Sequence, residues 1–161
     1  NCPGGNCPFG GNCCKTCIVY QAKCRQTGKV YIGSTMQTFK KRFGQHCQNA
    51  RELFHSGKHS TCLARHIVDQ WDQETCFTPT QVRSSMELGI LWSGKMIGCM
   101  KSFGRLGCRL CAEEKLAILR AHRDPSVELM NSITDIYEPC RHRARFHKLE
   151  YCRPCADDPN G

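Results

Sequence analysis

The stretch 18-IVYQAKCRQTGKVYIGSTMQTFKKRFGQH-46 decides the fold. An apolar-rich run, 18–24, is followed by Thr27-Gly28 and a second short run, 29-KVYIG-33. Two such runs around a small glycine-containing loop predict an antiparallel hairpin. Ser34 with Gln37 has the spacing of a capping box and Thr35 is the competing cap, so a helix is expected directly after the second strand. In that helix Phe39 and Phe43 share an inward stripe, and Arg42 and His46 a neighbouring one. Tyr20, Tyr31, Arg42 and His46 are thereby drawn into one compact unit.

Upstream, 1-NCPGGNCPFGGNCCKTC-17 holds five cysteines among glycine and proline. It has little apolar mass to bury and is expected to order itself through cross-links or a metal. Cys7 and Cys13 are the first pair of candidate ligands, with Cys2, Cys14 and Cys17 as rivals. Downstream, the first helix should break at Ser56-Gly57, and a second helix is predicted over 60–71, where Leu63, Ile67 and Trp71 recur. His59 and His66 flank Cys62 there. They either complete a zinc site with Cys7 and Cys13 or form a surface pair. Residues 72–85 are polar and broken by Pro79, which predicts a loop. A third strand is expected at 86-MELGILW-92 and a connection at 93–107. A helix is predicted over 109–122, with Leu110, Leu116, Ile118 and Leu119 inward and Glu113 and Glu114 on different sides. After Pro125 another helix is expected over 126–138. The tail that follows, 140-CRHRARFHKLEYCRPC-155, is strongly basic.

A chain of 161 residues suffices for one sizeable core and is short for two domains. It begins with Asn and ends on the loop-like ADDPNG, and is expected to be a piece of a longer polypeptide. No apolar run is long enough to span a membrane and no signal-peptide pattern occurs. Lys and Arg number 23 against 14 Asp and Glu, a formal charge of +9 that favours a polyanionic partner. Fifteen cysteines is an odd count, so full disulfide pairing within the chain is excluded. Cys14-x-x-Cys17, Cys108-x-x-Cys111 and Cys152-x-x-Cys155 have the spacing preferred by tetrahedral zinc, and histidines lie close by. The most economical Cys3His set is Cys108, Cys111, Cys140 and His142. Cys152 and Cys155 can replace its second pair or join the N-terminal cysteines.

The ordered set Ile18-Val19-Tyr20, Tyr31-Ile32-Gly33, Arg42 and His46 resembles the signature of the GIY-YIG nucleases, with Ile where the first motif has Gly. The resemblance implies an α+β fold with a small three-stranded antiparallel sheet flanked by helices, here with zinc-binding N-terminal and C-terminal additions. The expected division is a Cys-rich leader over 1–17, the nuclease domain over 18–138, and a basic tail over 139–161. It further implies one carboxylate on the third helix binding Mg²⁺ or Mn²⁺. Cys-x-Leu-Cys-x-x-Glu-Lys over 108–115 places that carboxylate at Glu114, with Glu113 the fallback. Asn131 matches the family's asparagine and Tyr31 its second tyrosine, and Tyr20 takes the role of base or water-positioner.

Cys7-Pro-Phe-Gly-Gly-Asn-Cys13, Cys108-Arg-Leu-Cys-Ala-Glu-Glu-Lys115, Leu129-Met130-Asn131 and Cys140-Arg-His-Arg-Ala-Arg-Phe146 follow in an order similar to the endonuclease domain of Penelope-like retroelement reverse transcriptases. That likeness implies nicking of double-stranded DNA to expose a 3′ hydroxyl for reverse transcription. It also implies a nuclear setting, with the rest of a reverse transcriptase and its template RNA as partners.

Hydrolysis of a phosphodiester requires an activated water, charge stabilisation on the phosphate and help for the leaving oxygen. A phenol is a poor base at its reference pKa of about 10. Tyr20 therefore orients water, or acts as base if nearby cationic charge lowers that value. Arg42 offers a fixed fork for phosphate oxygens, and His46 can shuttle protons or hold Tyr20. Lys40, Lys41, Arg51, Arg141, Arg143 and Arg145 are the expected phosphate contacts. Two rival classes are a zinc-stabilised nucleic-acid-binding module without cleavage and a disulfide-bonded extracellular domain.

Overall fold

The computed structural model describes residues 7–57, 61–71, 78–94, 97–100 and 105–140. Strands β1 (Ile18–Cys24) and β2 (Val30–Thr35) form the expected hairpin, with Tyr20 opposite Gly33 and Ala22 opposite Tyr31. Strand β3 (Met86–Ser93) pairs antiparallel with the other side of β1, so the sheet order is β2-β1-β3 and β1 is central. Burial of β1 on both faces explains why Ile18, Val19, Tyr20, Ala22 and Cys24 are all enclosed.

Strand alternation divides the sheet's two faces. Tyr20, Ala22 and Tyr31 face helices α1 (Phe39–Ser56), α2 (Cys62–Gln70) and α3 (Pro79–Ser84), where Phe39, Phe43, Leu63, Ile67 and Val82 fill the larger core. Val19, Val30 and Ile32 face α4 (Arg109–Arg123), packing on Leu110 and Ile118. The fold is a GIY-YIG-like α+β arrangement, with a small antiparallel sheet between helical layers.

Several local expectations are corrected. Ser34 and Thr35 do not cap α1. Pairing with β1 continues to Thr35, opposite Ile18, and the chain turns only afterwards. Thr38 is the cap, its side chain accepting from Lys41 N. The helix stops where anticipated, because Gly57 adopts the left-handed conformation (φ 63°) and its N–H closes on Leu53 O. The expected loop at 72–85 contains α3. Thr78 and Gln81 form a reciprocal capping box and Pro79 opens the helix, the position where its fixed φ helps rather than breaks. The expected connection at 93–107 contains the antiparallel pair β4 (Ile97–Met100) and β5 (Arg105–Cys108). Leu116 is 39% exposed rather than inward.

The helix expected over 126–138 is replaced by an extended arm and a short 3₁₀ helix, Ile133–Tyr137. The arm follows the outer edge of β2. Val30 N donates to Glu128 O (2.8 Å) and Met130 N donates to Val30 O (2.7 Å), giving a parallel bridge between Val30 and Leu129. Backbone groups of the arm thus find partners on the sheet edge instead of within a helix.

The N-terminal segment also has more apolar anchoring than its composition suggested. Phe9 is buried, its ring centroid 5.1 Å from that of Phe39 and 6.0 Å from that of Phe43. Burying one such side chain contributes about 1.5–3 kcal/mol. Lys15 O and Cys13 O accept from Phe39 N and Lys40 N, satisfying amides at the start of α1.

Candidate active site

Tyr20 stands at the centre of the larger core. Its hydroxyl lies 2.6 Å from His46 Nε2 and receives a hydrogen bond from Arg42 Nε at 3.3 Å. Arg42 and His46 are one helical turn apart on α1, so a single helix presents both groups to one phenol. His46 is fully enclosed. Its ring meets that of Tyr31 nearly edge-on at 5.3 Å, and its Nδ1 lies 3.4 Å from Thr61 Oγ1. Thr61 is also the cap of α2, accepting from Ala64 N at 3.2 Å.

Gly33 is the residue that lets this assembly close. A Cβ built there would lie 2.7 Å from Tyr20 Oη, 2.9 Å from Tyr20 Cζ and 2.9 Å from Tyr31 Cε1. The glycine ending the Tyr31-Ile32-Gly33 motif is therefore required by the Tyr20 ring lying across it.

Burial holds the Tyr31 phenol well above its ordinary pKa, reinforced by Tyr20, Cys62 and Glu114 against the opposing charge of Arg42. Tyr31 therefore stays protonated in neutral buffer, and its side chain lines the cleft described below. Burial works against the Arg42 cation, but Tyr20, Tyr31 and Glu114 outweigh it and its pKa is raised. Its charge is permanent. The second guanidinium contact, Nη1 to Gln45 Oε1 at 3.4 Å, continues to Gln37 through Gln45 Nε2.

Glu114 reaches the site from the other side of the sheet. It is buried on α4, and its Oε2 accepts from Ser34 Oγ at 2.8 Å. Glu113 is placed differently, 3.7 Å from Arg109 in a partly exposed ion pair. Asn131 is buried on the arm. Its Oδ1 accepts from Ile32 N (2.7 Å), while its Nδ2 donates to Ile32 O (3.0 Å) and to Asp135 Oδ2 (3.2 Å). Tyr31, Thr61, Arg65, Glu114, Asn131 and Asp135 line one cleft of about 590 Å³. All six sequence-predicted catalytic side chains thus belong to one neighbourhood.

Cys111 also lines that cleft, and its sulfur lies with those of Cys108 and Cys140 within 4.8 Å of one another. Cys111 Sγ and Cys140 Sγ are 3.5 Å apart, far beyond a covalent S–S bond of about 2 Å. That spacing suits tetrahedral thiolate ligation of zinc, for which Zn–S of about 2.3 Å is usual. Burial first, and the neighbouring thiols after it, raise the pKa of Cys111 far above the ordinary value, and burial raises that of Cys108. A bound dication reverses that balance by ligating thiolates. The donor set therefore fits zinc.

Among the described residues this is the one group of three or more ligand-type side chains gathered as a metal would need. Cys7 and Cys13 pack beside the core around Phe9, and His66 Nε2 lies 3.4 Å from Thr27 Oγ1 at the β1–β2 turn. His59 and His142 lie outside the described residues, as do Arg141, Arg143 and Arg145. Lys40 and Lys41 are exposed on α1 and Arg51 is half-buried. No described helix is long and apolar enough to cross a membrane.

Sequence reasoning missed three polar partners. Ser34 has the spacing of a helix cap but instead holds Glu114. Thr61 carried one signal, a threonine before a helix. Asp135 carried none, because its helix was expected to have a different path.

Comparison with known families gives a match over the first part of the described chain. The GIY-YIG catalytic domain matches residues 16–78, which contain Tyr20, Tyr31, Arg42 and His46. A GIY-YIG catalytic domain is present in this chain. No curated protein and no solved structure matches it. Glu114, Asn131 and the three clustered cysteines lie beyond the matched residues.

Proposed function

We propose that the protein is a divalent-metal-dependent DNA endonuclease that nicks one strand and leaves a 3′ hydroxyl. One observation carries the reading: a single phenol, Tyr20, is gripped by an imidazole and a guanidinium, with a buried carboxylate in the adjoining cleft.

Tyr20 positions the attacking water through its hydroxyl, and His46 Nε2, 2.6 Å away, accepts the proton displaced along that path. The water oxygen bonds to phosphorus as the P–O3′ bond breaks, and the departing 3′ oxygen takes its proton from solvent. Arg42 faces the charge growing on the non-bridging oxygens with a group that cannot lose its proton. Groups of this kind contribute about 10²–10³-fold when removed singly. Glu114 is an oxygen ligand suited to Mg²⁺ or Mn²⁺, and the Ser34 hydroxyl, donating to its Oε2, holds the carboxylate in place. Such an ion, when bound, neutralises phosphate charge and assists the leaving oxygen. Asn131 holds the cleft wall by bridging Ile32 and Asp135.

Cys108, Cys111 and Cys140, with His142, make a structural zinc site. Zinc there would fasten the start of α4 to the chain after the 3₁₀ helix, fixing the direction of Glu114. Cys7, Cys13 and His66, expected with His59 to form a second zinc group, are not gathered in that way, so no zinc is proposed there. Lys40, Lys41 and Arg51, with Arg141, Arg143 and Arg145, supply phosphate contacts. The motif order similar to Penelope-like retroelements supports a role in priming reverse transcription in the nucleus, alongside a reverse transcriptase and its template RNA. A zinc-stabilised binding module without cleavage is the competing reading.

Supercoiled-plasmid nicking decides between them. The parent should nick with Mg²⁺ or Mn²⁺ and not with EDTA. Arg42→Ala and Glu114→Gln should each fall by about 10²-fold or more, with zinc content unchanged. Two variants cleaving like the parent overturn the assignment. Salt-dependent binding with no metal-dependent nicking selects the binding module.

A further inference from the structure

The hydrogen bonds around Tyr20 have a direction. Arg42 Nε is a donor in every protonation state, so the Tyr20 oxygen accepts from it. The phenol is then free to direct its own proton at His46 Nε2, 2.6 Å away. For Nε2 to accept, the neutral ring must carry its proton on Nδ1. Nδ1 lies 3.4 Å from Thr61 Oγ1. That hydroxyl oxygen already accepts the Ala64 N–H as the cap of α2, and it has a second lone pair. With the ring in that form, the donors run one way, from Arg42 through Tyr20 and His46 to Thr61.

We propose that Thr61 is a positioning residue that holds His46 in the Nδ1–H form, so that Nε2 stays open to the Tyr20 proton. The proposal rests on the nuclease reading given above. Thr61 does not touch the reacting phosphate. It acts by fixing the tautomer and the ring plane of the group that serves Tyr20. It also ties proton handling to the start of α2, since one oxygen closes the helix end and receives the imidazole N–H. Among the described residues, Tyr20 from β1, Tyr31 from β2, Arg42 from α1, Cys62 and Arg65 from α2, Glu114 from α4 and Asp135 from the 3₁₀ helix are ionisable groups around this centre. Of the contacts made by His46 that are described above, Thr61 supplies the one at Nδ1.

Three substitutions separate the cap from the imidazole contact. Thr61→Ser keeps both. Thr61→Val removes both. Thr61→Gly retains most of the capping preference but has no acceptor. The first readout is independent of catalysis: ¹⁵N NMR of ring-labelled, full-length protein, in which protonated and unprotonated imidazole nitrogens differ in shift. The parent and Thr61→Ser should show His46 with Nδ1 protonated. Thr61→Val and Thr61→Gly should show Nε2–H or a mixture.

The second readout is metal-dependent nicking. Thr61→Gly should lose about tenfold or more in rate at unchanged DNA affinity, and Thr61→Ser should stay within about twofold. If Thr61→Gly keeps the parental tautomer and rate, the hydroxyl serves only the helix and the proposal is overturned. A parent ring protonated on Nε2 overturns it as well. A parent that shows the Nδ1–H form without nicking supports the proposed positioning and counts instead against the nuclease reading.

Discussion

Replacing Gly33 by alanine puts one methyl group into the tightest contact of the site. The new Cβ would sit 2.7 Å from Tyr20 Oη and 2.9 Å from both Tyr20 Cζ and Tyr31 Cε1. Carbon atoms in good contact are about 3.5–4.0 Å apart, so rigid ring atoms must retreat by roughly 0.5–1 Å. Tyr20 is fully buried, with Phe39 at 5.0 Å between ring centroids, and its hydroxyl is held by His46 and Arg42. It has no slack in which to move. Overpacking of this kind costs about 1–3 kcal/mol. For a chain of this size that lowers Tm by roughly 2–12 °C. The displaced phenol also lengthens its bond to His46, and misplacement on the scale of 1 Å can cost about 10²-fold in rate.

The assays are thermal unfolding and plasmid nicking, with Gly44→Ala as control. Gly44 lies in α1 with nothing within 4 Å of a built Cβ. Its replacement should stabilise by about 0.5–1 kcal/mol and leave nicking unaltered. A Gly33→Ala protein that melts with the parent and nicks within about twofold of it would refute the packing argument.

Burial first, and the Lys29 charge second, hold the His66 imidazole below its ordinary pKa. The unfolded chain then binds that proton more readily, so this contribution is whole above about pH 6.5 and is lost as pH falls through the folded value. Urea unfolding from pH 7.5 to 5 should show the loss, and His66→Gln should flatten it. An unchanged slope counts against the assignment. Cys111→Ser should abolish stoichiometric zinc and lower Tm, and a chelator should lower the Tm of the reduced parent. A chelator-insensitive Tm removes zinc from Cys108, Cys111 and Cys140. Burial pushes the Cys47 thiol up to about 11, so native protein should protect it from iodoacetamide at pH 8, as read by peptide mass analysis. Rapid labelling of Cys47 would show that this part of the core opens readily.

The hairpin and the first helix were legible because their signals are local: alternating strands, a Thr-Gly turn, and phenylalanines four apart. Tyr20, Arg42 and His46 follow from that local geometry, since strand and helix are adjacent in the chain. Glu114 came through a motif and not through periodicity, which could not say that Ser34, on the α4 side of β2, would bond it. The arm at 128–131 was misread for a related reason. Its apolar spacing suits a helix, but the backbones of Val30 and Ile32, about 100 residues earlier in the chain, offer partners to the arm's own backbone and to the Asn131 side chain. No window on 126–138 contains that information. Phe9 was hidden by the glycines and cysteines around it, because one aromatic ring raises the mean apolarity of a segment very little.

The middle position of β1 has a practical bearing on any shortened form of the protein. A piece ending at residue 78 would keep both tyrosines, Arg42 and His46. It would also strip β1 of the partner supplied by Met86–Ser93 and uncover the far side of β2 where residues 128–131 now run. Two rows of unsatisfied amides and carbonyls would then face solvent, a ready template for strand-to-strand aggregation. The smallest soluble unit is accordingly set by hydrogen-bonding edges and extends past the signature residues, at least as far as Asn131.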